Sequence, residues 1–131
     1  MNLFSYGSLM FEPVFLQVVG RLARAQSACL QGWSRHAIQG EIYPAALPDP
    51  GGSIEGRVWF ELTADEVIAL DRFETEEYLR VDVVVQVNGV DLPCFVYQWR
   101  DRTRLLAQDW SPATFRETGL AGFVQQRSPR D

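Results

Sequence analysis

Two strand-like runs, the valine-rich 81–87 and the aromatic-rich 92–99, stand on either side of Asn88-Gly89. Asn-Gly adopts the positive φ angles of a two-residue hairpin turn with little cost, so the two runs are expected to pair antiparallel. A lone hairpin is marginal in water, and the rest of the chain must supply more strands or a covering helix. Further strand-like runs lie at 2–6, 28–33, 36–43 and 54–62, with the turn-rich segment Pro48-Asp49-Pro50-Gly51-Gly52 before the last of them.

Thr63-Ala64-Asp65-Glu66 is a capping box, in which Thr63 and Glu66 satisfy each other's orphan backbone donors. It predicts a helix over 64–73. Pro13 and Gly20 bracket an apolar stretch with the asymmetry of a helix start and end. Ser111-Pro112 opens a short amphipathic segment carrying Phe115, Gly119 and Leu120. Five or six strands with two or three short helices predict an α+β domain, its mixed, mainly antiparallel sheet curled into a small β-barrel.

The 131 residues fit one domain, 1–124, followed by a polar tail, 125–131. With 47% hydrophobic and 22% charged residues the chain is an ordinary globule, which excludes a disordered tail protein and a disulfide miniprotein. A net charge of −5 lacks the basic footprint of phosphate-backbone binding, so no nucleic acid partner is expected. No apolar run reaches the ~20 residues that span a bilayer, and Met1-Asn2-Leu3-Phe4 lacks the basic start of a secretory leader. The expectation is a cytoplasmic protein, monomer or homodimer, with no membrane partner.

All twelve basic residues are Arg, which removes pyridoxal Schiff-base chemistry and the lysine-dependent phosphate loop. His36 is the one histidine, and Cys29 and Cys94 lie far apart, without the short spacings of a metal site. No metal is expected. Two small, buried, unpaired cysteines are the preferred reading over a disulfide.

Glu74 is the first candidate for chemistry. Seven residues after Val67 in the predicted helix, it comes round to within about 20° of that residue, on the side Leu70 also faces. A carboxylate aimed at the core tends toward a raised pKa, which suits a group that accepts and returns a proton near neutrality. The competing reading ends the helix one residue earlier and leaves Glu74 with Glu76 and Glu77 in a solvated acidic turn. Tyr6-Gly7-Ser8-Leu9 is the second candidate, a glycine turn between strand and helix whose N–H groups would converge on an anion or carbonyl oxygen. His36 with Ser8 and Asp71 would form a hydrolytic triad, although no GxSxG elbow is present. Arg35 or Arg57 would neutralise a substrate carboxylate, and Arg72 and Arg80 are expected to pair with Glu76 and Glu77 at the surface.

Four segments, in order, carry a family resemblance: Leu3-Phe4-Ser5-Tyr6-Gly7-Ser8-Leu9, Tyr43-Pro44-Ala45, Ile54-Glu55-Gly56-Arg57-Val58, and Leu70-Asp71-Arg72-Phe73-Glu74 with Tyr78 and Arg80 after it. Through them the chain resembles the gamma-glutamylcyclotransferase family, in its small AIG2-like branch, from about residue 3 to 123. Val96-Tyr97-Gln98-Trp99 and Trp110 are in the style of that branch. The resemblance implies a barrel with one cavity and a cofactor-independent acyltransferase reaction. In that reaction the α-amine of a small gamma-glutamyl amine or peptide attacks its own γ-carbonyl, giving 5-oxoproline and a free amine. Glu74 matches the catalytic glutamate. Tyr6, Gly7, Ser8 and Leu9 match the loop that binds substrate through backbone amides, and Tyr78 falls where it would bond to Glu74 or substrate, or serve as a core residue.

One carboxylate serves both proton transfers of such a reaction, from the attacking ammonium and to the leaving amine. Nucleophile and carbonyl belong to one molecule, so no enzyme nucleophile is required. The loop amides would meet either the developing oxyanion or the α-carboxylate. A non-catalytic barrel binding a small metabolite or a protein is the alternative, since a fold does not fix a function. A hydrolase for another amide is the third.

Overall fold

The computed structural model describes residues 1–126. Five strands, β1 (Leu3–Ser5), β2 (Ala25–Ala37), β3 (Pro44–Trp59), β4 (Tyr78–Val87) and β5 (Val90–Trp99), close into a barrel in the order β1-β3-β2-β4-β5. Every pairing is antiparallel except β1 with β5, which meet in parallel at Leu3 and Phe95. The Asn88-Gly89 hairpin forms as expected, with Val87 opposite Val90 and both turn residues at positive φ, 52° and 78°.

The middle of the chain departs from the expectation. The stretch 36–43 is not a strand beyond Ala37, because Gly40 at φ 81° and a Glu41 N–H to Ile38 carbonyl bond turn the chain there. The turn-rich segment does not separate strands either. Pro48 pairs with Trp33 and Ser53 with Gln31, so residues 49–52 bulge opposite the single Gly32 inside one long β3. Gly52 allows this: a Cβ there would lie 2.4 Å from the Trp33 carbonyl oxygen.

Four α-helices are present among the described residues, one more than the upper expectation: α1 (Glu12–Val19), α2 (Ala64–Glu74), α3 (Pro112–Thr118) and α4 (Leu120–Gln126). Gly119 breaks the last amphipathic segment into two. The α4 helix runs two residues into the expected polar tail, and the remainder, 127–131, lies outside the described residues. Both ends of α1 are as read, with Pro13 in the first turn and Gly20 left-handed at its C-cap. The capping box at Thr63 is complete in both directions.

Side-chain alternation along the strands splits the core in two. Phe4, Leu30, Ile54, Val58, Val85 and Val96 fill the barrel. On the outer face the helices cover Trp59, Phe95, Tyr97 and Trp99, with Phe15 stacked on Trp59 at 3.8 Å. Both cysteines are free; Cys94 is buried as expected, whereas Cys29 is only partly so. No helix among the described residues is long and apolar enough to cross a membrane.

Candidate active site

The α2 helix delivers Glu74 to the outer face of the barrel as its last residue, in helical conformation and only 9% exposed. Val67 and Leu70 are buried on the same side, so the inward reading holds and the solvated-turn reading does not. Thr75 turns the chain away, and Glu76 lies exposed beyond it.

Glu74 lines a cavity with Tyr6, Gly7, Ser8, Leu9 and Tyr78, which brings every expected site residue into one place. Phe4, Ser5, Tyr43, Pro44, Phe73, Tyr97 and Phe123 complete the lining. The loop after β1 turns through Met10 N–H to Gly7 carbonyl and Phe11 N–H to Ser8 carbonyl bonds. Among the described residues, the N–H groups of Gly7, Ser8 and Leu9 donate to nothing. Gly7 is required by proximity, since a Cβ there would sit 2.7 Å from the Pro44 ring.

Three side chains grip the loop's carbonyls from behind. Arg35 Nη1 donates to Tyr6 at 2.9 Å, Trp59 Nε1 to Leu9 at 3.0 Å and Arg57 Nη1 to Met10 at 3.1 Å. Arg35 is itself held by a two-pronged bond to Asp109, at 2.8 and 3.1 Å. Arg35 and Arg57, each read as a candidate substrate-carboxylate ligand, therefore serve the loop.

The tyrosines are fixed in turn. Tyr6 donates to the Tyr97 carbonyl at 2.6 Å, Tyr78 to the Pro44 carbonyl at 2.8 Å, and Tyr97 to Asp71 Oδ1 at 2.7 Å. Burial raises all three phenols well above the ordinary tyrosine range. The negative charge of Glu74 adds to the rise in each, as the Asp71 hydrogen bond does for Tyr97. They are neutral donors at physiological pH.

The hydrolytic triad does not form. His36 Nδ1 bonds the Leu106 carbonyl at 3.0 Å, which requires a proton on that nitrogen, and Nε2 then accepts from Ser34 at 2.8 Å. Asp71 is occupied by Tyr97 and by Arg80, whose Nε lies 3.1 Å away. Arg80 thus pairs with Asp71 instead of the acidic turn, and Arg72 makes no ion pair among the described residues.

A family model described as gamma-glutamyl cyclotransferase, AIG2-like, matches residues 3–112. The chain belongs to this family. AIG2-like protein D of Arabidopsis thaliana is 39% identical over 129 residues, covering 95% of this chain and 84% of the relative. AIG2-like protein C of the same plant is 36% identical, covering 94% and 73%. A solution structure from Arabidopsis thaliana at 28% identity superposes with a TM-score of 0.74 over 95% of this chain and 86% of that one. A solved gamma-glutamyl cyclotransferase at 20% identity shares the fold, with a TM-score of 0.69 over 97% and 85%. The span matched by the AIG2-like family model holds the loop, Glu74 and the arginines that brace the loop.

Proposed function

We propose that the chain is a cofactor-independent gamma-glutamyl cyclotransferase with Glu74 as proton shuttle. The observation that carries this reading is that one cavity is lined both by a buried carboxylate and by a turn whose N–H groups donate to nothing among the described residues. Glu74 takes a proton from the α-ammonium of a gamma-glutamyl substrate. The freed amine attacks the γ-carbonyl carbon, forming the new C–N bond and moving the carbonyl electron pair onto oxygen. Glu74 hands that proton to the departing nitrogen, and the carbonyl re-forms as the old C–N bond breaks. The second proton, shed by the ring nitrogen, passes through Glu74 to the released amine, so that 5-oxoproline and an ammonium leave and Glu74 is again a carboxylate.

The turn's N–H groups suit either anion of such a substrate, the developing oxyanion or the α-carboxylate. The neutral phenols of Tyr6, Tyr78 and Tyr97 keep the cavity free of further negative charge. The unpaired Cys29 and Cys94 fit the reducing interior of a cell.

The test is incubation with a panel of gamma-glutamyl amines and dipeptides, with mass detection of 5-oxoproline. Each active substrate should become inert once its α-nitrogen is acetylated, because that nitrogen is the nucleophile. Turnover of an N-acetyl compound, or release of open-chain glutamate, would overturn the mechanism.

A further inference from the structure

Each N–H of the loop that donates to nothing among the described residues belongs to a peptide group whose other end is engaged. The Gly7 N–H shares its peptide with the Tyr6 carbonyl, which accepts from Arg35 Nη1 at 2.9 Å. The Ser8 N–H shares one with the Gly7 carbonyl, which accepts from the Met10 N–H at 3.0 Å. The Leu9 N–H shares one with the Ser8 carbonyl, which accepts from the Phe11 N–H at 3.1 Å. Those last two donors are themselves ends of gripped peptides. The Met10 N–H follows the Leu9 carbonyl held by Trp59, and the Phe11 N–H follows the Met10 carbonyl held by Arg57.

Three chains of hydrogen bonds therefore start at side chains behind the loop, and each stops at a residue that lines the cavity. A peptide whose carbonyl accepts a hydrogen bond is polarised and donates more strongly, and a charged donor at the head of the chain adds to the effect. The Arg35 chain is the shortest, one peptide long, and it begins at a cation. Its counter-ion is the more screened of the pair, since the Asp109 side chain is 61% exposed and that of Arg35 only 12%. Water weakens the carboxylate's field more than the guanidinium's, so part of the cation's charge acts inward uncancelled. The Arg57 chain crosses two peptides, and the Trp59 chain begins at a neutral indole.

We infer that Arg35 is a positioning residue whose charge, passed through the Tyr6–Gly7 peptide, makes the Gly7 N–H the strongest donor of the loop. Leu9, served by Arg57, ranks second and Ser8 third. Arg35 acts through the peptide group and not on the substrate. Its effect on turnover rests on the cyclotransferase reading, whereas the ranking of the donors rests on the loop alone.

Amide hydrogen exchange tests this by its sign. Hydroxide removes the amide proton and leaves an anion, so a nearby cation speeds exchange, and a loosened loop speeds it too. Arg35→Gln should slow exchange at Gly7 by roughly threefold to tenfold, whereas loss of a mere brace would hasten it. Arg35→Lys should keep Gly7 near the parent rate. Asp109→Asn, which weakens the brace and keeps the cation, should leave Gly7 exchange undiminished. With an active gamma-glutamyl substrate, Arg35→Gln should lower kcat/KM by roughly 5- to 10-fold, the margin between a charge-backed and a neutral hydrogen bond, and Asp109→Asn by less. Unchanged or faster Gly7 exchange in Arg35→Gln, slower exchange in Asp109→Asn, or equal activity losses in the two variants would overturn the inference. Slowed exchange in Arg35→Gln of a protein that forms no 5-oxoproline would uphold it and overturn the cyclotransferase reading.

Discussion

Thr75 follows Glu74 with φ 64° and ψ −166°, a backbone region that is almost confined to glycine. Its amide still donates to the Asp71 carbonyl, so the helix is capped while the chain reverses direction. The reversal separates the inward Glu74 from the outward Glu76. A strained link of this kind costs on the order of 1–3 kcal/mol. Part of that should be recovered in Thr75→Gly, with urea unfolding showing a gain of about 1 kcal/mol after the extra chain entropy of glycine is offset. The same variant should lower kcat, because a freer link holds Glu74 less firmly. A net loss of stability would refute the account.

Glu74→Gln should fold as the parent does and lose roughly 10²- to 10⁴-fold in kcat, the span of a positioned acid or base. The swap keeps the shape and removes the basicity. Parent-like turnover would dismiss Glu74 as the shuttle and direct the same substitution to Glu77.

Gly7→Ala and Ser8→Ala form a contrast. The first drives a methyl to within 2.7 Å of the Pro44 ring, and either the loop or Pro44 must shift to admit it. Pro44 bears the carbonyl that holds Tyr78, so the shift reaches the cavity from two sides. Activity should fall at least tenfold, which corresponds to about 1.4 kcal/mol of lost transition-state stabilisation. Ser8→Ala keeps every backbone N–H and should cost less than threefold by the same measurement. The reverse ranking would assign the chemistry to the Ser8 hydroxyl.

Alkaline titration reads the three held phenols. Tyr6, Tyr78 and Tyr97 have raised values in the folded state and ordinary ones, near 10, when unfolded. The unfolded chain therefore loses protons first. The stability these phenols contribute is whole below pH ~10 and declines above it, by up to about 1.4 kcal/mol per pH unit for each. Tyrosinate absorbance should rise together with loss of near-ultraviolet circular dichroism. Ionisation of three of the four tyrosines near pH 10 with the dichroism intact would contradict the assigned burial.

Local signals carried much of this architecture. Asn88-Gly89 and the Thr63 capping box depend on neighbours within four residues, and both formed as read. The orientation of Glu74 followed from helical spacing, and the acidic alternative was excluded only once the helix was seen to include it. Distant pairings were not legible. Arg35 meets Asp109 across 74 positions, and Tyr97 meets Asp71 across 26, with no local pattern to announce either. Pro48 to Gly52 misled for a related reason. Their residue types favour a turn, but pairing on both sides of Gly32 absorbs them into a strand. A search for polar side chains able to reach the carbonyls of the Tyr6 loop would have nominated arginines, yet not which ones.

Closure of the barrel depends on β1, three residues long, joined to β5 through the single register pair Leu3 and Phe95. The next residues of the chain are the loop itself. Sheet closure and assembly of the cradle are thus one cooperative event, and an open barrel has two bare strand edges and no site. Amide hydrogen exchange at residues 3–5 consequently reports on the fraction of molecules competent to bind, without any ligand in the tube.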